Sequence, residues 1–288
     1  MKKTAYIIIL ICFTSTCSYD KINDSTGNES YIIWAYSDIQ PRSEAEKTQY
    51  KNAVDDMRQN FKQIDMSLFA GDIVQFSDFS EIYQWFLDTG REAPVKEQYE
   101  IAGNHDWRSI DLYRQKINNR LYYSVARGNL LILMISNERP GRPTFISDET
   151  FEWWKNLVIK NQDKIIITVT HGTLEGNGIS ASCLKRLIIT DSERFINVLK
   201  KYRVDIWISG HSHFPSWLPD MELTNKTLGG VTFADLGSIR EEFLKNSESR
   251  IFYFQQGSSS AAMKIRNHSG KKFTSGSFII PLSHPFRF

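Results

Sequence analysis

Six short apolar runs rich in β-branched and aromatic residues recur at residues 31–36, 66–70, 98–102, 130–136, 165–170 and 204–209. Runs of that length and composition read as buried strands. Helical patterns lie between them at 44–61, 80–87, 147–159 and 191–202, and strands alternating with helices predict an α/β fold. From Gly230 the texture changes. Residues 231–236, 250–256, 261–266 and 277–281 read as strands joined by Gly, Ser and Asn turns, which predicts a second, antiparallel sheet. With no internal repeat and no linker, residues 31–288 are expected to form one domain of two packed sheets. An apolar content of 41% is enough for a sizeable core. A net charge of +2 without any long Lys or Arg block indicates no specific nucleic-acid partner.

The first residues follow a different logic. Lys2-Lys3, an apolar stretch over 5–13 and then Thr14-Ser15-Thr16-Cys17 have the layout of an export signal. The stretch falls well short of the roughly 20 residues a membrane-spanning helix needs. A Cys after small residues resembles a bacterial lipoprotein processing site, so residues 1–17 are expected to be a leader, Cys17 a lipid anchor, and 18–30 a polar tether. The expected location is the cell envelope; the alternative is a simple cleaved signal peptide, which would leave a periplasmic or secreted protein. Processing at Cys17 removes Cys12 and leaves Cys183 as a free thiol, so no disulfide framework is expected.

The ends of the apolar runs carry the chemistry. Asp38 and Gln40 follow the first, Gly71-Asp72 the second, Gly103-Asn104-His105-Asp106 the third, His171 the fifth and Gly210-His211-Ser212-His213 the sixth. Four of the chain's six histidines stand there, and the carboxyl ends of strands are where α/β sheets form their sites. Each piece alone has a plain reading: "GD" is a common turn, "GNHD" contains Gly-Asn turn chemistry, and "GHSH" suits a loop with two solvated imidazoles. In this order, at five strand ends, they make a metal site. Gly210 is expected to let the backbone turn so that both His211 and His213 reach it.

The segments "SDIQ", "AGDIV", "AGNHD", "VTHG" and "SGHSH" resemble the pattern of the calcineurin-like metallophosphoesterase superfamily. That pattern runs Asp-x-His, Gly-Asp, Gly-Asn-His-Asp or Glu, a lone His, then Gly-His-x-His, and the resemblance covers nearly all of the chain after the leader. Gln40 is the departure, standing where the family usually has His. The resemblance implies an α/β sandwich of two mixed β-sheets packed face to face with helices outside. It also implies a phosphoesterase with two divalent metal ions, the first held by Asp38, Gln40, Asp72 and His213, the second by Asp72, Asn104, His171 and His211. The residue types suit that role. Two cations that clamp a phosphoryl displacement need an anionic bridge, expected at Asp72. With only Asp38 and Asp72 anionic, such a cluster stays cationic enough to attract phosphate and to acidify water into the attacking hydroxide.

His105 is expected to be the general acid for the leaving alkoxide, with Asp106 hydrogen-bonded to its other ring nitrogen. The harder oxygen of Gln40 biases the first site toward Mn²⁺ or Mg²⁺ over Zn or Fe, which makes Mn the favoured activator. Trp107 and Arg108 are expected to line a substrate cleft, and residues 172–189 to form a specificity loop. His268 and His284 read as surface residues, and Trp153-Trp154 as core. A phosphodiester or nucleotide-type substrate is the favoured reading. The alternatives are a phosphomonoesterase, a nucleotide pyrophosphatase, or a catalytically inactive metal-binding module of the envelope.

Overall fold

Chain order fixes the elements in three stretches. The first builds β1 (Ser30–Tyr36), α1 (Glu44–Asn60), β2 (Ile64–Phe69), α2 (Ser80–Gly90), β3 (Val95–Glu100) and α3 (Ile110–Lys116). The second builds β4 (Tyr122–Arg127), β5 (Leu130–Ile135), α4 (Asp148–Lys160), β6 (Ile165–Thr170), α5 (Ser192–Leu199) and β7 (Ile206–Ser209). The third is almost all strand: β8 (Glu222–Asn225), β9 (Val231–Asp235), β10 (Glu248–Gln255), β11 (Ser260–Asn267), β12 (Lys272–Phe273) and β13 (Phe278–Pro281). This computed structural model describes residues 30–76, 80–241, 246–274 and 276–288; the expected leader, Cys17 and nearly all of the expected tether lie outside them.

Local sequence accounts for the helices. Ser43 caps α1 by accepting the Glu46 N–H, and Glu44 and Glu46 oppose the positive end of the helix dipole. Ser147 caps α4 in the same way through the Thr150 N–H. The central strands β5 (LLILMI) and β6 (IIITVT) are buried at every position, as strands covered on both faces must be.

Two mixed sheets result, one ordered β12-β11-β10-β1-β2-β3 with β13 on β11, the other β4-β5-β6-β7-β9-β8. Between them Ile33, Leu68, Ile132, Ile167, Ile208 and Phe252 form the central core. Separate cores pack α4 and α5 on the second sheet, around Trp154 and Trp207, and α1, α2 and α3 on the first, around Tyr50, Met57, Phe86 and Tyr113. This is the expected sandwich of helices, sheet, sheet and helices. The last strands, however, do not form a sheet of their own. β9 is buried at all five positions and inserts parallel beside β7, while β10 pairs antiparallel with β1 and covers a strand whose last four residues are all buried.

His268 is buried, contrary to its expected place on the surface. The Trp34 indole N–H donates to Ser249 Oγ (2.9 Å), whose own proton is left for His268 Nε2 (2.8 Å), so His268 Nδ1–H donates to Asp56 Oδ2 (2.9 Å). Arg266 completes the cluster with two hydrogen bonds to Asp56, at 2.8 and 2.6 Å. A solvated turn is excluded because the chain from β11 folds back over α1. His284 is half-buried, with Nε2–H donating to Gln162 O at 2.8 Å. Trp154 is core, its indole N–H on Thr168 Oγ1, whereas Trp153 is half-buried against Tyr122.

Candidate metal centre

The carboxyl ends of β1, β2, β3, β6 and β7 converge, and the seven side chains singled out in the sequence as ligands are all buried there. Two groups form. Ligand atoms of Asp72, His171 and His211 lie within 4.8 Å of one another, and so do those of Asp38, Asp72 and His213. Asp72 is common to both. Backbone strain concentrates here as well: among the described residues seven non-glycine positions have positive φ, and four of them are Asp38, Asp72, His211 and His213. The expected turn at Gly210 is therefore made by the histidines themselves, at φ 68° and 56°. Gly210 serves close approach instead, since a Cβ there would meet Ser37 Oγ at 2.5 Å and Asp38 Oδ2 at 2.7 Å.

In one half of the centre, His171 Nδ1–H donates to Ala70 O at 2.7 Å, which fixes the tautomer. Its Nε2 lies 3.3 Å from Asp72 Oδ2 and 3.1 Å from Asn104 Oδ1. His211 is held in the opposite sense. Its Nε2 lies 3.1 Å from Arg186 O, and because a carbonyl only accepts, Nε2 carries the proton. Nδ1 is thereby left with a lone pair, buried and without a hydrogen-bond partner. In the other half, His213 Nε2 lies 2.9 Å from Asp38 Oδ1 and 3.3 Å from Gln40 Nε2. The Gln40 amide donates from Nε2 to Asp72 Oδ2 (3.2 Å), and its Oε1 is buried with no hydrogen-bond partner. An oxygen ligand at residue 40 requires the two ends of that amide to exchange. Two buried acceptors without donors, beside two carboxylates, are the donor set a cation would satisfy.

His105 and Asp106 do not pair as expected. Asp106 accepts backbone N–H groups from Gly103 and Asp72 through Oδ2, and from Ile73 and Val74 through Oδ1, at 2.8 to 3.2 Å, so it welds the Asp72 loop to the Asn104 loop. His105 Nδ1–H donates instead to Gln75 O at 3.0 Å, leaving Nε2 4.0 Å from Asp72 Oδ2. Arg108 is exposed and reaches the same carbonyl at 3.5 Å, while Trp107 is half-buried. The segment 172–189 is not a free loop. Leu174, Ile179, Ala181, Leu187 and Ile189 are built into the core around α4 and α5, and the exposed residues are Glu175, Gly176, Gly178 and 183–186.

The sequence model described as calcineurin-like phosphoesterase matches residues 31–215. The chain belongs to that family. No curated protein matches it by sequence. Among solved structures, purple acid phosphatase PPD1 from yellow lupin (Lupinus luteus) seeds aligns with a TM-score of 0.65 at 15% identity, covering 88% of this chain and 54% of that one. This chain therefore spans about half the length of the lupin chain. GAP50, the anchor in the inner membrane complex of Plasmodium, aligns with a TM-score of 0.59 at 12% identity over 88% of this chain and 89% of that one. The protein TT1561 of Thermus thermophilus gives 0.52 at 11% identity, over 86% and 99%. These likenesses are of fold.

In this calcineurin-like phosphoesterase the charges divide unevenly between touching groups. Burial alone would lower His171, yet the Asp72 charge lifts it to about 9; burial and the His171 charge push His211 down to about 3. Burial works against ionised Asp38 and Asp72, and their histidine partners outweigh it, so both carboxyls lie below the usual range. Burial and the neighbouring Asp72 charge raise Asp106 to about 7 against the pull of its backbone donors. Two supports carry no motif signal and escape the sequence reading. Arg240 is buried and donates from Nη1 to Gln40 O (2.8 Å) and Gln75 Oε1 (2.6 Å), tying the residue that holds His105 to the residue beside Asp72. Asp235, at the end of β9, accepts from Ser212 Oγ at 2.9 Å.

Proposed function

We propose that the protein hydrolyses phosphate esters with two divalent cations, one held by Asp38, Gln40, Asp72 and His213, the other by Asp72, Asn104, His171 and His211. The observation that carries this reading is His211, whose tautomer leaves a buried Nδ1 lone pair with no hydrogen-bond partner, in the group it forms with Asp72 and His171. Bound cations would supply positive charge to polarise the phosphoryl group and to acidify water. The chain's own residues do the rest. Asp72 bridges the two halves and fixes the third loop by accepting the His105 backbone N–H at 2.9 Å. Asp38 accepts the His211 backbone N–H at 2.9 Å and so holds the turn that presents both late histidines. His105, oriented by Gln75 O, presents Nε2 to the centre and delivers a proton to the leaving oxygen.

The substrate reading within this class is a phosphodiester or nucleotide-type ester, with Mn²⁺ favoured because residue 40, with its amide ends exchanged, would offer oxygen in place of imidazole. Export, with Cys17 as a lipid anchor, is part of the same proposal; the order of charged, apolar and small residues before Cys17 supports it. Purified protein is assayed with Mn²⁺ on bis-p-nitrophenyl phosphate, p-nitrophenyl phosphate and a panel of nucleotides and dinucleotides. Turnover that a chelator abolishes and Mn²⁺ restores is the expected result. No turnover with any metal means an inactive metal-binding module.

A further inference from the structure

His211 and His213 are neighbours but one, yet they serve different halves of the centre, and the backbone between them takes a form that side chains disfavour. The Ser212 N–H donates to Gly210 O at 2.8 Å, closing a three-residue turn around His211, whose φ is 68°. That is the rare, strained hand of the γ-turn. His213 follows at φ 56°. A conformation of this kind persists only where its surroundings impose it. Asp38 is one such restraint, through the His211 N–H. The other comes from behind.

Ser212 turns away from the two imidazoles and is buried. Its Oγ accepts the Phe214 N–H at 3.0 Å, and its own proton goes to Asp235 Oδ1 at 2.9 Å. The same carboxylate oxygen accepts the Gly237 N–H at 2.9 Å. Asp235 is itself immobilised. It ends β9 in register with Ser209, the last residue of β7, and the Leu236 N–H donates to Ser209 O at 2.8 Å. The buried Arg250 on β10 donates from Nη1 to the O of the next residue, Leu236, at 3.5 Å. Asp235 belongs to neither candidate ligand group.

We infer that Asp235 is a positioning residue: through the Ser212 hydroxyl it holds the strained turn that aims His211 and His213 into opposite halves of the centre. Its effect on metal binding rests on the metal-dependent reading above; its effect on the rings does not. Three variants of the full chain separate the possibilities. Ser212→Ala and Asp235→Leu break the link, whereas Asp235→Asn keeps an acceptor oxygen for Ser212 and Gly237. Mn²⁺ affinity is measured by titration, the ring nitrogens by ¹⁵N NMR of the metal-free proteins, and folding by thermal denaturation. Loss of an outer partner of this kind costs about 10- to 100-fold in metal affinity. That loss is expected for Ser212→Ala and Asp235→Leu, with displaced signals for both rings, and Asp235→Asn should stay close to the parent. A Ser212→Ala protein with parental affinity and parental ring signals overturns the inference, as does Asp235→Asn as impaired as Asp235→Leu. Should Asp235→Leu fail to fold, Ser212→Ala decides alone. A parent protein that binds no Mn²⁺ sinks the Mn²⁺ assignment, and the ring signals still decide the role of Asp235.

Discussion

Asp72 stands in both groups of candidate ligands, so Asp72→Asn should lower the content of both metals at once and depress activity on every substrate alike; metal analysis after dialysis checks the first half. His105→Ala should act selectively. If Nε2 protonates the leaving oxygen, the loss is about 10²- to 10⁴-fold for alkyl esters and much smaller for p-nitrophenyl esters, whose leaving group needs little help. Equal losses would make His105 a residue that positions substrate. Gln40→His should retain metal more tightly on dialysis and shift preference toward Zn²⁺ or iron; unchanged stoichiometry and preference would remove residue 40 from the centre. The side chains that gather here were all legible, because ligand types at strand ends leave a pattern in sequence. The hydrogen bonds that orient them were not. The donor to Gln75 O, the carboxylate behind Ser212 and the backbone ring around Asp106 depend on which loops meet in space, and Asp106 was assigned the wrong partner for that reason.

Between elements, the decisive contact is the one that fastens β11 to α1. Asp56 is buried, and although burial raises its carboxyl, the hydrogen bonds and charges of Arg266 and His268 hold it at about 2. Burial keeps the His268 imidazole below its ordinary value, against the pull of Asp56. Both shifts have the same sign for stability. The unfolded chain takes up the His268 proton below about pH 6.5 and the Asp56 proton below about pH 4, while the folded protein resists each. The contribution of this contact should therefore be full at neutral pH, weaken as pH falls past about 6.5, and fall further from about 4 toward 2. Urea midpoints of the parent and His268→Gln measured across that range check this: the advantage of the parent over the variant should shrink as pH falls below about 6.5. Asp56→Ala strands Arg266 in the interior and should cost about 3 to 5 kcal/mol, read from the same denaturation curves. The strands and helices themselves were largely visible as periodicities. What periodicity did not carry was partnership: β9 reads like β10 or β11, yet it is buried on both faces and joins the other sheet. The same limit put His268 in a solvated turn.

For the molecule as a whole, the family match ends at residue 215, but the fold does not. β10 is the neighbour of β1, and the N–H groups of Ile239 and Arg240 donate to Ser37 O and Asp38 O. A fragment of residues 31–215 should thus fail to fold, giving a collapsed NMR spectrum where residues 30–288 give a dispersed one; a folded fragment would mean that the late strands are an accessory. The closing strands also settle a matter of orientation. Tyr31, at the start of β1, packs on Phe286 and Phe288 at the end of the chain, while Asp38 follows the far end of the same strand. Seven residues of strand, about 20 Å, thus separate the two. The protein has a handle and a mouth at opposite poles. Fixed to any surface through its amino-terminal side, it would turn the candidate metal centre outward, with the length of β1 between the support and the site.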